Sequence, residues 1–140
     1  MHPKAHGKSA EWLFAYEAVE RNWVPLVEPT DALPYDVVLV KHCSSTFIKC
    51  QIKMTASERK NRDGFYHVNL SKGTGPNKKA YLHDDFDFWC LYISNAKVWY
   101  VIPRGETYET RKVSLPESKY ANSKWIKYHS AWHLLEEALS

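Results

Sequence analysis

Asp36-Val-Val-Leu-Val40 and Thr46-Phe-Ile-Lys-Cys-Gln-Ile-Lys-Met54 decide how this chain folds. Both runs are dense in β-formers and are separated by a short link, so they read as the two strands of a hairpin. With the connection at His42 to Ser45, facing residue numbers sum to 87, which sets Asp36 across from Gln51 with Cβ atoms roughly 5 Å apart. Period-two alternation puts Phe47, Lys49, Gln51 and Lys53 on one face and Ile48, Cys50, Ile52 and Met54 on the other. Lys53 therefore joins Asp36 and Gln51. A register slip of one residue would send this set to opposite faces and destroy the constellation.

Toward the N-terminus, residues 8–22 contain neither Gly nor Pro and end at Asn22 before Pro25, the pattern of a helix. At about 100° per residue, Trp12, Ala15, Tyr16, Ala18 and Val19 share one arc and are expected to face the core, with Glu17, Glu20 and Arg21 opposite. Glu11 has Phe14, Ala15 and Ala18 as turn neighbours, which predicts a carboxylate at the edge of that core. The plain alternative is a first-turn acid that complements the helix dipole. An extended piece, Trp23 to Val27, and a Pro-bounded loop lead into the hairpin.

Toward the C-terminus, Ser57 to Asp63 is a polar connection, Gly64 to Leu70 a strand, and Ser71 to Lys79 a loop rich in Gly, Pro and Lys. Phe86 to Ser94 and Lys97 to Pro103 read as two strands joined at Asn95-Ala96, and Tyr108 to Ser114 as an edge strand. From Ser123 to Leu139 the spacing is helical, with Trp125, Tyr128, Trp132 and Leu135 as the core stripe. The order predicts an α+β fold: a central mixed sheet flanked by N- and C-terminal helices, in one domain over residues 1–140.

The composition fits an ordinary globular domain, with 44% hydrophobic residues, six Trp and nine Tyr. A net charge of +3 admits a polyanionic partner, but is far weaker than that of a basic-tail binder. No apolar run reaches the ~18 residues of a membrane span, and Met1 to Ser9 lacks a signal-peptide core, so an intracellular protein without a membrane partner is expected. Cys43, Cys50 and Cys90 show no CxxC pairing, which predicts reduced thiols used for packing. The absence of P-loop, dinucleotide-binding and nucleophile-elbow glycine motifs argues against a nucleotide cofactor or hydrolase-type serine.

The facing strands supply a workable hydrolytic site. Asp36 offers a hard oxygen to a divalent cation, and the Gln51 side-chain oxygen and Ile52 backbone carbonyl can complete the inner shell, with Glu11 acting through water. Such an ion polarises a phosphodiester oxygen and lowers the pKa of bound water. Lys53 could orient that water or stabilise charge growing on the phosphate.

These segments fall in the order of PD-(D/E)XK endonucleases, in the compact group that includes restriction-like and group I intron homing enzymes. Gly7-Lys8-Ser9-Ala10-Glu11 resembles the family's helix-borne G-x-x-x-E, and Pro34-Tyr35-Asp36 stands where its "PD" element belongs. Gln51-Ile52-Lys53 resembles the third motif. Asp87 to Tyr92 with Trp99 to Pro103 is similar to the later strand pair, and Ala131 to Leu135 to the closing helix. The resemblance implies a restriction-endonuclease-like sheet, magnesium-dependent phosphodiesterase activity, and Glu11, Asp36, Gln51 and Lys53 as active-site residues. Tyr35 interrupts the first element and Gln51 replaces an acid, which lowers the negative charge available to a metal.

The resulting expectation is a DNA endonuclease using Mg²⁺ or Mn²⁺, assembled as a homodimer because so little chain lies outside the core. Arg59, Lys60, Arg62, Lys72, Lys78 and Lys79 are candidate nucleic-acid contacts, with a solvated charged face as the plainer reading. The alternative function is a non-catalytic nucleic-acid-binding or protein-interaction module that keeps the nuclease fold. His129 and His133, spaced i and i+4, lack a third zinc ligand and read as a helix-surface pair. Asp84 and Asp85 read as turn residues, and Asp87 as either a turn residue or a support for the site.

Overall fold

The computed structural model describes residues 3–30, 32–42, 44–55, 65–71 and 85–139. In chain order these form α1 (Pro3–Glu20), β1 (Val24–Val27), β2 (Val37–Val40), β3 (Phe47–Met54), β4 (Tyr66–Asn69), β5 (Phe88–Ile93), β6 (Val98–Pro103), β7 (Lys112–Leu115) and α2 (His133–Glu137). Five strands make a mixed sheet in the order β1-β2-β3-β5-β6, while β4 and β7 pair in a small sheet of their own. All neighbours in the large sheet are antiparallel except β3 and β5, which run parallel. A parallel pair needs a crossover. Here the crossover carries β4 away to its partner β7.

The β2–β3 ladder pairs Val37 with Cys50, Val38 with Lys49, Leu39 with Ile48 and Val40 with Phe47. Each pair sums to 87, the register expected from the sequence. Asp36 lies one residue before this ladder, and its N–H donates to the Cys50 carbonyl at 2.9 Å. That carbonyl belongs to the residue already facing Val37, so the strands begin to part at Asp36.

One core lies on each face of the sheet. On the first, Ala10, Phe14 and Ala18 of α1 pack against Val37, Leu39, Ile48, Cys50 and Ile52, joined by Trp99, Trp132 and Leu135. On the second, Tyr66, Val68, Val113 and Leu115 of the small sheet pack against Trp89, Leu91, Ile93, Tyr100 and Ile102. Burial on both faces explains why β5, Phe-Trp-Cys-Leu-Tyr-Ile, reads as a continuous apolar run. Among the described residues, no helix is long and apolar enough to cross a membrane.

Three expectations are corrected. Helix α1 begins at Pro3 rather than residue 8, and it ends at Glu20, with Asn22 in the left-handed region at φ 67°. Its inward stripe is Ala10, Phe14, Ala15 and Ala18, whereas Trp12, Tyr16 and Val19 are exposed by 62%, 62% and 56%. Ala15 and Ala18 face inward as expected, but the bulky apolar residues of that arc do not. Close approach of helix to sheet favours alanines around one Phe14 over a row of bulky residues.

The closing helix is the second correction. Ile126–Tyr128 is a single 3-10 turn, Ser130 takes φ 53°, and only His133–Glu137 is α-helical. The break has a cause. Ser130 N–H donates to the Trp99 carbonyl at 2.7 Å and His129 bridges Tyr100, so the segment pairs with the edge of β6 instead of coiling. The aromatic stripe is thereby divided: Trp125 and Tyr128 join the second core, and Trp132 and Leu135 the first. His129 and His133 do not share a helix, and a ring nitrogen of His129 bonds the Glu117 carbonyl at 3.0 Å. Third, the expected edge strand is β7, which completes the small sheet rather than extending the large one.

Candidate active site

Where β2 stops short of β3, the free edge of β3 turns its peptide groups toward Asp36. The Ile52 N–H donates to Asp36 Oδ2 at 2.8 Å. N–H and C=O of one strand residue point to the same edge, so the Ile52 carbonyl also faces this side. Helix α1 brings Glu11 to the same place. Ala10 sits against the sheet, and Glu11, one step around the helix, is only 6% exposed and hydrogen-bonds the Asp36 carboxyl. Two buried acids thus meet at the Gln51–Ile52 peptide.

The electrostatics follow from this packing. Burial pushes the Asp36 carboxyl up to about 7, the Ile52 N–H pulls it down, the Glu11 charge and hydrogen bond raise it, and Lys8 lowers it. Two carboxyls pressed together out of water favour a shared proton or a cation. Behind them lie Cys50 and Cys90, both free and buried. Burial and the neighbouring Cys50 raise the Cys90 thiol well above its usual value, so it packs as a neutral group.

Gln51 and Lys53 occupy the other face of β3, opposite Trp89 and Leu91 in the parallel ladder. Gln51 is 8% exposed. The Lys53 ammonium donates to the Ser71 carbonyl at 3.0 Å, and Ser71 N–H in turn donates to Asn69 Oδ1 at 2.8 Å. The lysine is therefore anchored through the end of β4. The structure brings Glu11 to Asp36, whereas Gln51 and Lys53, expected on one face with Asp36, lie on the other face of β3, with the ammonium held at Ser71.

Asp87, weighed as a support for the site, has another task. Its Oδ2 accepts the Lys49 N–H at 2.8 Å, its own N–H donates to the Lys49 carbonyl, and its carbonyl accepts from Arg104 N–H. It locks the start of β5 between β3 and β6. Arg59, Lys60, Arg62, Lys72, Lys78 and Lys79 lie outside the described residues, as do Asp84 and Cys43.

Sequence reasoning missed Lys8 and Glu28. Lys8 Nζ is 2.9 Å from Glu11 Oε2 and donates to the Glu28 carbonyl at 3.0 Å, while Glu28 N–H donates to the Asp36 carbonyl at 2.8 Å. The i, i+3 spacing of Lys8 and Glu11 was the available signal.

The donor set suits a hard cation. Asp36, Glu11 and the Ile52 carbonyl offer oxygen, the donor type that a hard cation prefers, and among the described residues no group of three His, Cys, Asp or Glu converges. The raised Asp36 carboxyl is the tension that a cation would relieve.

The family model for the PD-(D/E)XK endonuclease matches residues 1–135. This chain belongs to the PD-(D/E)XK endonuclease family. Among solved structures it is similar to a bacterial homing endonuclease, I-Ssp6803I, with a TM-score of 0.84, 23% sequence identity, and coverage of 99% of this chain and 95% of that one. That likeness establishes the fold, an α+β mixed sheet with flanking helices. Family members generally use divalent metal ions. A search of curated proteins found no match.

Proposed function

We propose that this PD-(D/E)XK protein is a DNA endonuclease that hydrolyses phosphodiester bonds with water and Mg²⁺ or Mn²⁺. The meeting of the Glu11 and Asp36 carboxyls at the Gln51–Ile52 peptide, on the strand that bears Lys53, carries the reading. Asp36, the Gln51 side-chain oxygen and the Ile52 carbonyl would hold the cation, and Glu11 would contribute through water. When bound, the ion polarises a phosphate oxygen and makes water acidic enough to attack near neutral pH.

The chain's own residues do the remainder. Asp36 must lose the proton that burial favours before it can act as a ligand, and the Ile52 N–H assists by stabilising the carboxylate. Lys53, steadied at the Ser71 carbonyl, orients the attacking water or balances charge developing on the phosphate. Burial of the two acids keeps bulk water away and strengthens each charge interaction. The protein works as a homodimer, presenting one centre to each DNA strand.

Incubating plasmid and linear duplexes with Mg²⁺ or Mn²⁺ tests the proposal. Wild type should cut and EDTA should stop it, while Lys53→Ala should reduce the rate by roughly a hundredfold or more. Duplex binding without cutting would favour a module whose centre was lost with the change to Gln51. Light scattering that finds only monomer on DNA would remove the dimer.

A further inference from the structure

Lys8 occupies a variable position of the helix motif, and the reaction as proposed gives it no task. Exposed i, i+3 ion pairs contribute little, because water screens them. This pair is different: the side chain of Glu11 is 8% exposed and that of Lys8 30%. The ammonium also leaves its own helix, donating at 3.0 Å to the Glu28 carbonyl just beyond β1. Glu28 is tied in turn to the Asp36 main chain. One cation therefore bridges helix α1 to the strand end where the two acids meet, and its charge acts on Asp36 as well as Glu11.

We infer that Lys8 is a placeholder cation, which balances the Glu11–Asp36 pair before a metal binds, holds Glu11 against Asp36, and competes with an incoming divalent ion for the same oxygens. The inference rests on the metal-site reading above. Its direction follows from charge. Even at the dielectric constant of water, repulsion between an ammonium and a divalent ion about 6 Å apart is worth roughly tenfold in affinity. Lys8 is thus a positioning residue whose removal should tighten metal binding, whereas loss of a mere strut would loosen it or leave it unchanged.

The test is direct titration with Mn²⁺, counting free ion by electron paramagnetic resonance at pH 8.5, where proton competition is least. Lys8→Gln and Lys8→Met, which remove the charge with and without a hydrogen-bonding group, should each bind Mn²⁺ roughly tenfold more tightly than wild type. Lys8→Arg should stay close to wild type. Asp36→Asn should weaken binding at least tenfold. Thermal melts give a second readout: the Lys8→Gln protein should melt lower without metal, yet show the larger Mn²⁺-induced rise. Unchanged or weaker Mn²⁺ binding in both uncharged variants, with Asp36→Asn still impaired, overturns the placeholder role alone. Wild type that binds no Mn²⁺, or Asp36→Asn that binds like wild type, overturns the metal site and the placeholder together.

Discussion

Replacing Asp36 with Asn should stabilise the metal-free protein at pH 8 and leave its stability almost unchanged near pH 4. The Asp36 carboxyl is raised from 3.8 to about 7 in the fold, first by burial and then by Glu11. A group whose folded pKa is raised holds its proton more tightly in the native state, so its contribution is complete below pH 4 and is lost as pH climbs through 7. The shift of about three units, at about 1.4 kcal/mol each, costs the wild-type fold up to about 4 kcal/mol at pH 8. Exposure of only 8% leaves little solvent to screen this. Asparagine escapes the cost, because its Oδ1 can still accept the Ile52 N–H and its amide can donate to Glu11.

At about 3 °C per kcal/mol for a domain of this size, the variant should melt roughly 10 °C above wild type at pH 8 in EDTA. The gap should shrink steadily toward pH 4.5. Thermal or urea unfolding across that range provides the measurement, and titrating groups other than Glu11, which the substitution itself relieves, largely cancel because both proteins share them. A gap that does not change with pH, or a variant less stable than wild type at pH 8, would refute the account of two carboxyls forced together.

Lys53→Met should abolish detectable plasmid cutting while shifting the melting temperature by only a few degrees, since it removes about one hydrogen bond, to Ser71; a fall in stability as large as the fall in activity would point to a structural lysine. Gln51→Glu restores the family's acid and should tighten Mn²⁺ binding by about tenfold while lowering metal-free stability at pH 8; titration with melts in EDTA checks both, and unaltered affinity would remove Gln51 from the ligand set. Leu135→Ala empties a fully buried position in the short closing helix and should cost about 2–5 kcal/mol in urea unfolding. A loss below about 1 kcal/mol would mean that α2 is not docked on the core.

What could be read from the chain was whatever depends on local periodicity. The β2–β3 register followed from alternation and a short link; the grouping of Asp36 with Gln51 and Lys53 on one face did not, because Asp36 accepts the Ile52 N–H beside Glu11 while Gln51 and Lys53 lie on the other face of β3. What could not be read depends on partners distant in sequence. Helix α1 carries apolar residues on more than one side, so its inward face was decided by the fit of Ala10, Phe14 and Ala18 to the sheet rather than by hydrophobicity. The C-terminal segment has helical spacing throughout, yet a hydrogen bond from Ser130 to Trp99, residues far apart in the chain, outweighs that propensity. Lys8 escaped notice because its significance lies in reaching Glu28, a strand away.

These long-range ties also explain how the fold carries its least comfortable feature. Two acids held together out of water oppose folding, and the opposition is contained by rigid neighbours: the Ile52 N–H, the Lys8 ammonium, and α1 seated on the sheet by Phe14. On the proposed reading, Glu11 and Asp36 supply the site's negative charge, Lys8 and Lys53 oppose it, and Gln51 adds an oxygen without charge. Such a centre attracts a cation weakly by itself. A DNA phosphate brings both the missing charge and another oxygen ligand, so ion and substrate would each raise the other's affinity by the same factor. The departure at Gln51 would then transfer part of the metal's binding energy from the protein to the substrate.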